Sequence, residues 1–262
     1  MKNKCFIAYN AGLGDHILMN GAVRHFAKIY EEVHVMVFSK NVINIQHMFR
    51  DDPKIHLHSI PQPNGAPQSN KKVRRLRKMF AQAGCDNKTF YWGYTNDWPR
   101  CLERVGLDPN KNCWCEGFYR ALGVDYDERY KSWKFVRDHE REDLLCKRLG
   151  LPDKYLFVVN RFGNRKRNQG FRLNVDRISP HHIDLPQVNP AYLTNETLIF
   201  DWMKVIENAT EIHVVDTSWL HLVKNMLLKQ PKFLYRIARH VPASDANYLN
   251  DKYNTGWTDV RR

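Results

Sequence analysis

Apolar positions along this chain fall into short continuous runs separated by stretches with helical spacing, and the two kinds alternate from the start. Cys5 to Tyr9 predicts a strand, Ile17 to Tyr30 a helix, Val33 to Phe38 a strand, Asn41 to Phe49 a helix and Ile55 to Ile60 a third strand. Parallel strands need a crossover between them, so this alternation predicts βαβ units and a parallel sheet. The turn-rich Pro61 to Pro67 interrupts the pattern. Lys71 to Phe80 then predicts a helix with apolar residues at 73, 76, 79 and 80 and cations over the rest of its surface. Phe90 to Tyr94 predicts a further strand, while Asn112 to Leu122 and His139 to Leu149 predict helices, the latter stopped by Gly150 and Pro152.

A second α/β stretch follows. Tyr155 to Asn160 has the character of a buried strand, Arg161 to Asn174 of a polar loop, and Ile183 to Leu185 of a short apolar run. Thr197 to Ala209 predicts a helix, Glu211 to Val215 a strand, Trp219 to Leu228 a helix and Lys232 to Tyr235 a last short strand before a polar tail. The expectation is two α/β domains, residues 1–150 and 151–262, within a length that buries an ordinary core without disulfide or metal support.

The net charge of +13 and pI near 9.5 point to an anionic partner. Phosphate-bearing small molecules, nucleic acid and acidic membrane surfaces all satisfy that condition. Nucleic acid is the weakest of these: aromatic residues mingle with polar ones from Phe90 to Trp98, but no recognised binding motif is present and the cations are scattered. The six cysteines form no Cys-x-x-Cys pair, and Cys113-Trp-Cys115 has no matching second pair, so they read as reduced thiols. Met1 to Lys4 leads directly into a strand, and no apolar run reaches the roughly 18–20 residues of a membrane span. A soluble cytoplasmic protein is expected, with any contact to an anionic membrane peripheral.

The candidate chemistry sits in two strand-to-helix turns. After the first strand comes Ala11-Gly-Leu-Gly-Asp-His16, and after the strand Glu211 to Val215 comes Asp216-Thr-Ser218, with His221 five residues beyond the aspartate. A strand running into Asp-Thr-Ser ahead of an apolar helix offers backbone N–H groups and hydroxyls to a diphosphate, aided by the helix dipole. Asp15 is exposed by a glycine-flanked turn where ligands of open α/β sheets bind, which makes it either a general base or the cap of the helix that follows. His16 is the second candidate for a base. His221 either reaches a phosphate or ribose oxygen or is a partly buried helix residue with Asp216 as an N-cap. The loop after Asn160 carries Arg161, Arg165, Lys166 and Arg167, cations either for a diphosphate or for a solvated surface.

At these turns the chain resembles the heptosyltransferase-like branch of the GT-B glycosyltransferases (glycosyltransferase family 9), including short glycosyltransferase-like proteins of phages and large viruses. The family pattern is a glycine-aspartate turn after the first strand and an Asp-Thr/Ser-Gly-x-x-His-Leu stretch in the C-terminal half. It is met here by Gly12-Leu-Gly-Asp15 and by Asp216-Thr-Ser-Trp-Leu-His-Leu222, with Ser218 in place of the usual glycine. The resemblance implies two Rossmann-like domains facing a cleft, trimmed at the periphery, and transfer of a sugar from a nucleotide-sugar donor to a glycan or other hydroxyl acceptor. It also implies direct inversion with Asp15 as base. Gly12, Gly14, Arg161, Lys166, Arg167, Asp216, Thr217, Ser218 and His221 are the donor-binding candidates, and no metal or cofactor is expected. A GT-B-like protein that binds a nucleotide sugar or glycan without catalysis is the alternative.

Overall fold

The computed structural model describes residues 3–9, 12–61, 71–89, 98–109, 111–160, 185–190, 196–235 and 256–260. Arg161, Lys166, Arg167 and the expected strand Phe90 to Tyr94 lie outside the described residues. The chain forms two compact units that divide between Val136 and Arg137.

The first unit is built on β1 (Lys4–Ala8), β2 (Glu32–Phe38), β3 (Ile55–Ile60) and β4 (Asp86–Thr89), in the order β3-β2-β1-β4 with every pairing parallel. Cys5 through Ala8 are all buried, as a strand must be when helices cover both faces of its sheet. Helix α1 (Leu13–Ile29) contributes Ile17, Leu18, Met19, Ala22 and Val23 to the core, and α2 (Val42–Phe49) contributes Ile45 and Met48. Helix α3 (Lys71–Gln82) seals the sheet with Val73 and Phe80, which join Phe6, Met36, Phe38 and Ile60 in one cluster. Phe80 stacks on Phe6 at 4.5 Å between centroids. Each such side chain contributes about 1.5–3 kcal/mol by leaving water. Helices α4 (Trp98–Arg104), α5 (Trp114–Leu122) and α6 (Glu128–Lys131) complete the unit. Strand β4, with the sequence Asp-Asn-Lys-Thr, carries no apolar alternation and is held by its ladder to β1, which is why the pattern alone missed it.

One buried polar cluster ties this unit together. Arg24 of α1, nearly enclosed, donates to the carbonyls of Met48 and Lys134 and to Asp51 at 2.6 Å, while Lys134 pairs with Asp51 at 2.8 Å. Partial burial raises the Asp51 carboxyl, but the hydrogen bonds from Arg24 and Lys134 outweigh it and bring the group down to about 2. The folded value thus lies below the unfolded one, so the stabilisation is present above about pH 4 and is lost as the pH falls toward 2. Asp51→Asn is expected to cost about 2 kcal/mol at pH 7. Urea midpoints should show the gap between variant and wild type closing as the pH drops below 4; a gap independent of pH would rule out this ion-pair account.

The second unit contains α7 (His139–Leu149), β5 (Leu156–Val158), β6 (Gln187–Val188), α8 (Met203–Glu207), β7 (Glu211–Val215), α9 (Ser218–Asn225), β8 (Lys232–Tyr235) and β9 (Trp257–Val260). Its sheet has the order β6-β5-β7-β8-β9, again parallel throughout. Gly150 ends α7 in the left-handed conformation at φ 56°, as its sequence position suggests. Yet α7 belongs to the second unit, so the division precedes it instead of following at residue 150. Ion pairs account for this. Arg141 holds Asp201 through two contacts of 2.9 and 2.7 Å, Arg137 bridges Glu142 and Glu207, and Arg148 reaches Thr197.

The helix expected over Thr197 to Ala209 is a tight 3₁₀ turn, Ile199–Trp202, leading into the short α8. Asp201 accepts from the Leu198 N–H at 2.8 Å while gripped by Arg141, and that double engagement holds the chain in the tighter turn. Part of the polar tail is β9, with Trp257 buried. Among the described residues no helix is long and apolar enough to cross a membrane.

Candidate functional site

In the first sheet the chain steps outward from β1 through β2 to β3, then crosses back to place β4 on the other side of β1. Connections leaving neighbouring strands in opposite directions open a crevice at their carboxyl ends, the usual ligand position in open α/β sheets. The Gly12–Asp15 turn leaves β1 toward α1 at that point. Gly12 is the N-cap of α1 at φ −67°, ψ 154°, and its N–H donates to Asp15 Oδ2 at 3.0 Å. Asp15 is the third residue of the helix, so its carboxylate folds back across the first turn, where unpaired N–H groups and the helix dipole favour negative charge. A Cβ on Gly12 would stand 2.8 Å from that oxygen, so a side chain there would push the carboxylate off its bond to the Gly12 N–H. The helix thus starts at Leu13, four residues before the expected start near Ile17, and Asp15 acts not as its N-cap but as the third residue, bonded back to the N-cap Gly12. A carboxylate has about four lone-pair directions, and the bond to Gly12 uses one.

Behind this turn lies a pair that sequence reasoning treated differently. His16 is fully enclosed, with Nδ1 2.6 Å from the Tyr9 hydroxyl and Nε2 buried without a hydrogen-bond partner. Burial pushes its pKa down to about 3, and it pushes the Tyr9 phenol well up, with the charge of Asp15 adding to the effect. The pair is neutral at ordinary pH. His16, the second candidate for a base, is a buried support of the turn with no exposed nitrogen for an acceptor hydroxyl.

The second sheet has its own switch point. From β5 the chain goes to β6 on one side and to β7 on the other, so the crevice opens between β5 and β7. The Val159 N–H donates to the His213 carbonyl at 2.7 Å, which brings the ends of the two strands, Asn160 and Asp216, out side by side. Asp216, Thr217 and Ser218 are half-buried. Thr217 is the N-cap of α9 with extended backbone, φ −146° and ψ −176°; its hydroxyl donates back to the Val215 carbonyl at 3.2 Å and does not cap the helix. The first turn of α9 therefore presents backbone N–H groups that the Thr217 side chain leaves open, the arrangement that suits an anion. Trp219 packs against Phe157 and Trp202, with centroids 5.6 and 5.9 Å away, and so pins the helix start to the sheet.

His221 is 4% exposed and its carbonyl accepts from Asn225 Nδ2 at 2.8 Å. The structure thus brings Asp216, Thr217, Ser218 and His221 together in one turn and its helix, and Gly12, Gly14 and Asp15 in another. Two polar residues escaped sequence reasoning. Asn160, at the end of β5, buries its side-chain oxygen without a hydrogen-bond partner beside the α9 turn. Lys224, one turn beyond His221, is fully buried. A cation inside an otherwise apolar helix was a visible signal for Lys224; Asn160 becomes notable only once the strand order is known. The chain also contains an Asp-x-Asp, Asp125-Tyr-Asp127, of the kind that bridges metal and diphosphate in other transferases. Here it builds a local turn, the Asp127 N–H donating to Asp125 at 2.7 Å and Lys131 pairing with Asp127.

Two α/β units, each a parallel sheet with a ligand-type turn at its own switch point, define a fold of the GT-B type. Among solved structures the chain is similar to the glycosyl transferase family 9 protein from Veillonella parvula, with a TM-score of 0.55 and 9% identity over 100% of this chain and 87% of that one. It is also similar to ADP-heptose LPS heptosyltransferase II of E. coli, at TM-score 0.49 and 12% identity over 98% of this chain and 90% of that one. The glycosyltransferase TibC of enterotoxigenic E. coli gives the same score and identity over 98% and 64%. At this identity the likeness shows the fold alone, and the fold is that of the family 9 glycosyl transferase structure. Neither a protein-family model nor a curated protein matches the chain.

Proposed function

We propose that this protein is a glycosyltransferase that moves a sugar from a nucleotide-sugar donor to a hydroxyl of a glycan acceptor, without a metal and with inversion at the anomeric carbon. The observation that carries the reading is the start of α9, a helix N-terminus that its own N-cap residue Thr217 leaves uncapped, at the switch point of the second sheet. The backbone N–H groups there and the Ser218 hydroxyl hold the diphosphate, with Asp216 orienting the turn. The Thr217 hydroxyl is already spent on Val215, so Thr217 acts through its backbone. Arg161, Lys166 and Arg167 supply charge to the leaving diphosphate, and His221 contacts the nucleotide. Asp15 takes the proton of the acceptor hydroxyl as it attacks, and Gly12 and Gly14 keep the turn around it narrow. Stabilising the departing diphosphate with fixed dipoles and cations does the work that a metal does in other transferases.

The test is a thermal-shift titration with ADP, GDP, UDP, CMP and dTDP, with and without EDTA. A ligand of the folded state at about 100 times its dissociation constant adds about 2.7 kcal/mol, a shift of several degrees for a chain of this size. The expected result is a selective shift with one nucleotide that EDTA leaves unchanged. A shift abolished by EDTA overturns metal independence, and the absence of any shift overturns the donor site. Ser218 in place of the family's glycine favours a second reading, a non-catalytic binder, which any turnover with a matching donor would dispose of.

A further inference from the structure

Helix α3 carries Lys71, Lys72, Arg74, Arg75, Arg77 and Lys78 within its first eight residues and has no acidic residue along its length. All six cations are exposed, while Val73 and Phe80 are buried in the core of the first unit and Leu76 is partly buried. At 100° per residue, Lys71, Arg75 and Lys78 project from the side opposite Val73 and Phe80, with Arg74 and Arg77 on one flank and Lys72 on the other. Lys71, Arg74, Arg75, Arg77 and Lys78 form no ion pair with any described residue. The helix is therefore fastened to its own sheet by one stripe and turns outward a cationic surface in which Lys71, Arg74, Arg75, Arg77 and Lys78 meet no described acid. Holding five such like charges together is unfavourable unless an anion meets them.

We propose that this face docks the protein on an anionic phospholipid bilayer. Two features favour a lipid surface over a nucleic acid. Met79, 47% exposed, lies among the cations as an apolar side chain able to enter the headgroup layer. The aromatic residue of the helix, Phe80, is buried, so no ring is presented for base stacking. A bilayer supplies a broad array of phosphates matching a broad arc of cations, and each cation near such a surface raises binding about fivefold. This inference goes beyond the transferase reading and is read by binding, so it stands or falls independently of turnover.

The experiment is co-sedimentation of the full chain with vesicles of equal parts phosphatidylglycerol and phosphatidylcholine, against vesicles of phosphatidylcholine alone. Binding to the anionic vesicles is expected at about 0.1 M salt and loss of it near 1 M, where the Debye length has fallen from about 10 to about 3 Å. The variant Arg74→Gln/Arg75→Gln/Arg77→Gln/Lys78→Gln alters only exposed side chains and is expected to bind several hundredfold more weakly. The control Arg120→Gln/Lys147→Gln/Lys154→Gln/Lys229→Gln removes the same charge from exposed positions elsewhere and is expected to keep most of the affinity. Equal losses in the two variants would assign binding to net charge and overturn the role of α3. So would indifference to phosphatidylglycerol, or tighter binding to a random-sequence oligonucleotide than to the vesicles.

Discussion

Asp15→Asn is expected to lower turnover by about 10²–10⁴-fold, the range a positioned general base contributes, while nucleotide affinity and thermal midpoint stay close to wild type. The separation follows from the geometry of the turn. The Asp15 side chain accepts from the Gly12 N–H at 3.0 Å, and an amide oxygen in the same place still accepts that bond, losing only the few tenths to about 1 kcal/mol that the charge gains from the helix dipole. The Asn variant therefore keeps the cap and loses the proton acceptor. Asp15→Ala loses both, and adds a capping loss of about 1 kcal/mol to the kinetic defect. Steady-state kinetics with the donor named by the nucleotide screen, paired with urea unfolding of both variants, distinguishes the roles. Full turnover in the Asn variant, with destabilisation in the Ala variant, would make Asp15 a cap and nothing more.

Gly21→Ala should destabilise the fold by about 3 kcal/mol or more, against the ordinary expectation for a helix interior. Replacing glycine by alanine inside a helix normally adds about 1 kcal/mol. Gly21 lies in the middle of α1 where α6 crosses it, and a Cβ there would meet the Glu128 carbonyl oxygen at 2.2 Å and the Arg129 Cα at 2.9 Å. Those are backbone atoms and cannot swing aside as a flexible side chain would. The crossing is fixed at two further points, by Lys28 on Ser132 and by His25 near Glu128, so the helices resist parting locally. The sign of the change in urea unfolding is the readout. A gain in stability would mean that α6 does not rest on Gly21.

Much of the fold was legible because burial on both faces leaves a simple trace. Continuous apolar runs such as Cys5 to Ala8 and Leu156 to Val158 occur where helices cover both sides of a parallel sheet, and β1 and β5 stand out in this way, while β2, β3, β7 and β8 are short apolar-rich runs broken by histidine or headed by lysine. Two of the edge strands, β4 and β9, left no such trace. Strand β4 is Asp-Asn-Lys-Thr and β9 lay in the polar tail, because an edge strand is held by its ladder and needs few apolar side chains. The unit boundary was misplaced for a related reason. Gly150 and Pro152 announce the end of a helix, but which unit the helix joins depends on Arg137 and Arg141 finding Glu207 and Asp201, 60 or more residues away in sequence.

The candidate site divides along the same line. Strand and turn chemistry are local, so the residue order shows two aspartate-bearing turns after buried strands, the second ahead of a helix. What those turns offer depends on the folded chain. It placed each at the switch point of its sheet, bound Asp15 back onto Gly12, enclosed His16 against Tyr9 and turned the Thr217 hydroxyl away from the helix start. It also set Asn160 beside Asp216, a neighbourhood that exists only because β5 and β7 pair across more than 50 residues of chain. Strand order, burial and the partner of each hydroxyl come from contacts distant in sequence, and the spacing of residues along the chain does not encode them.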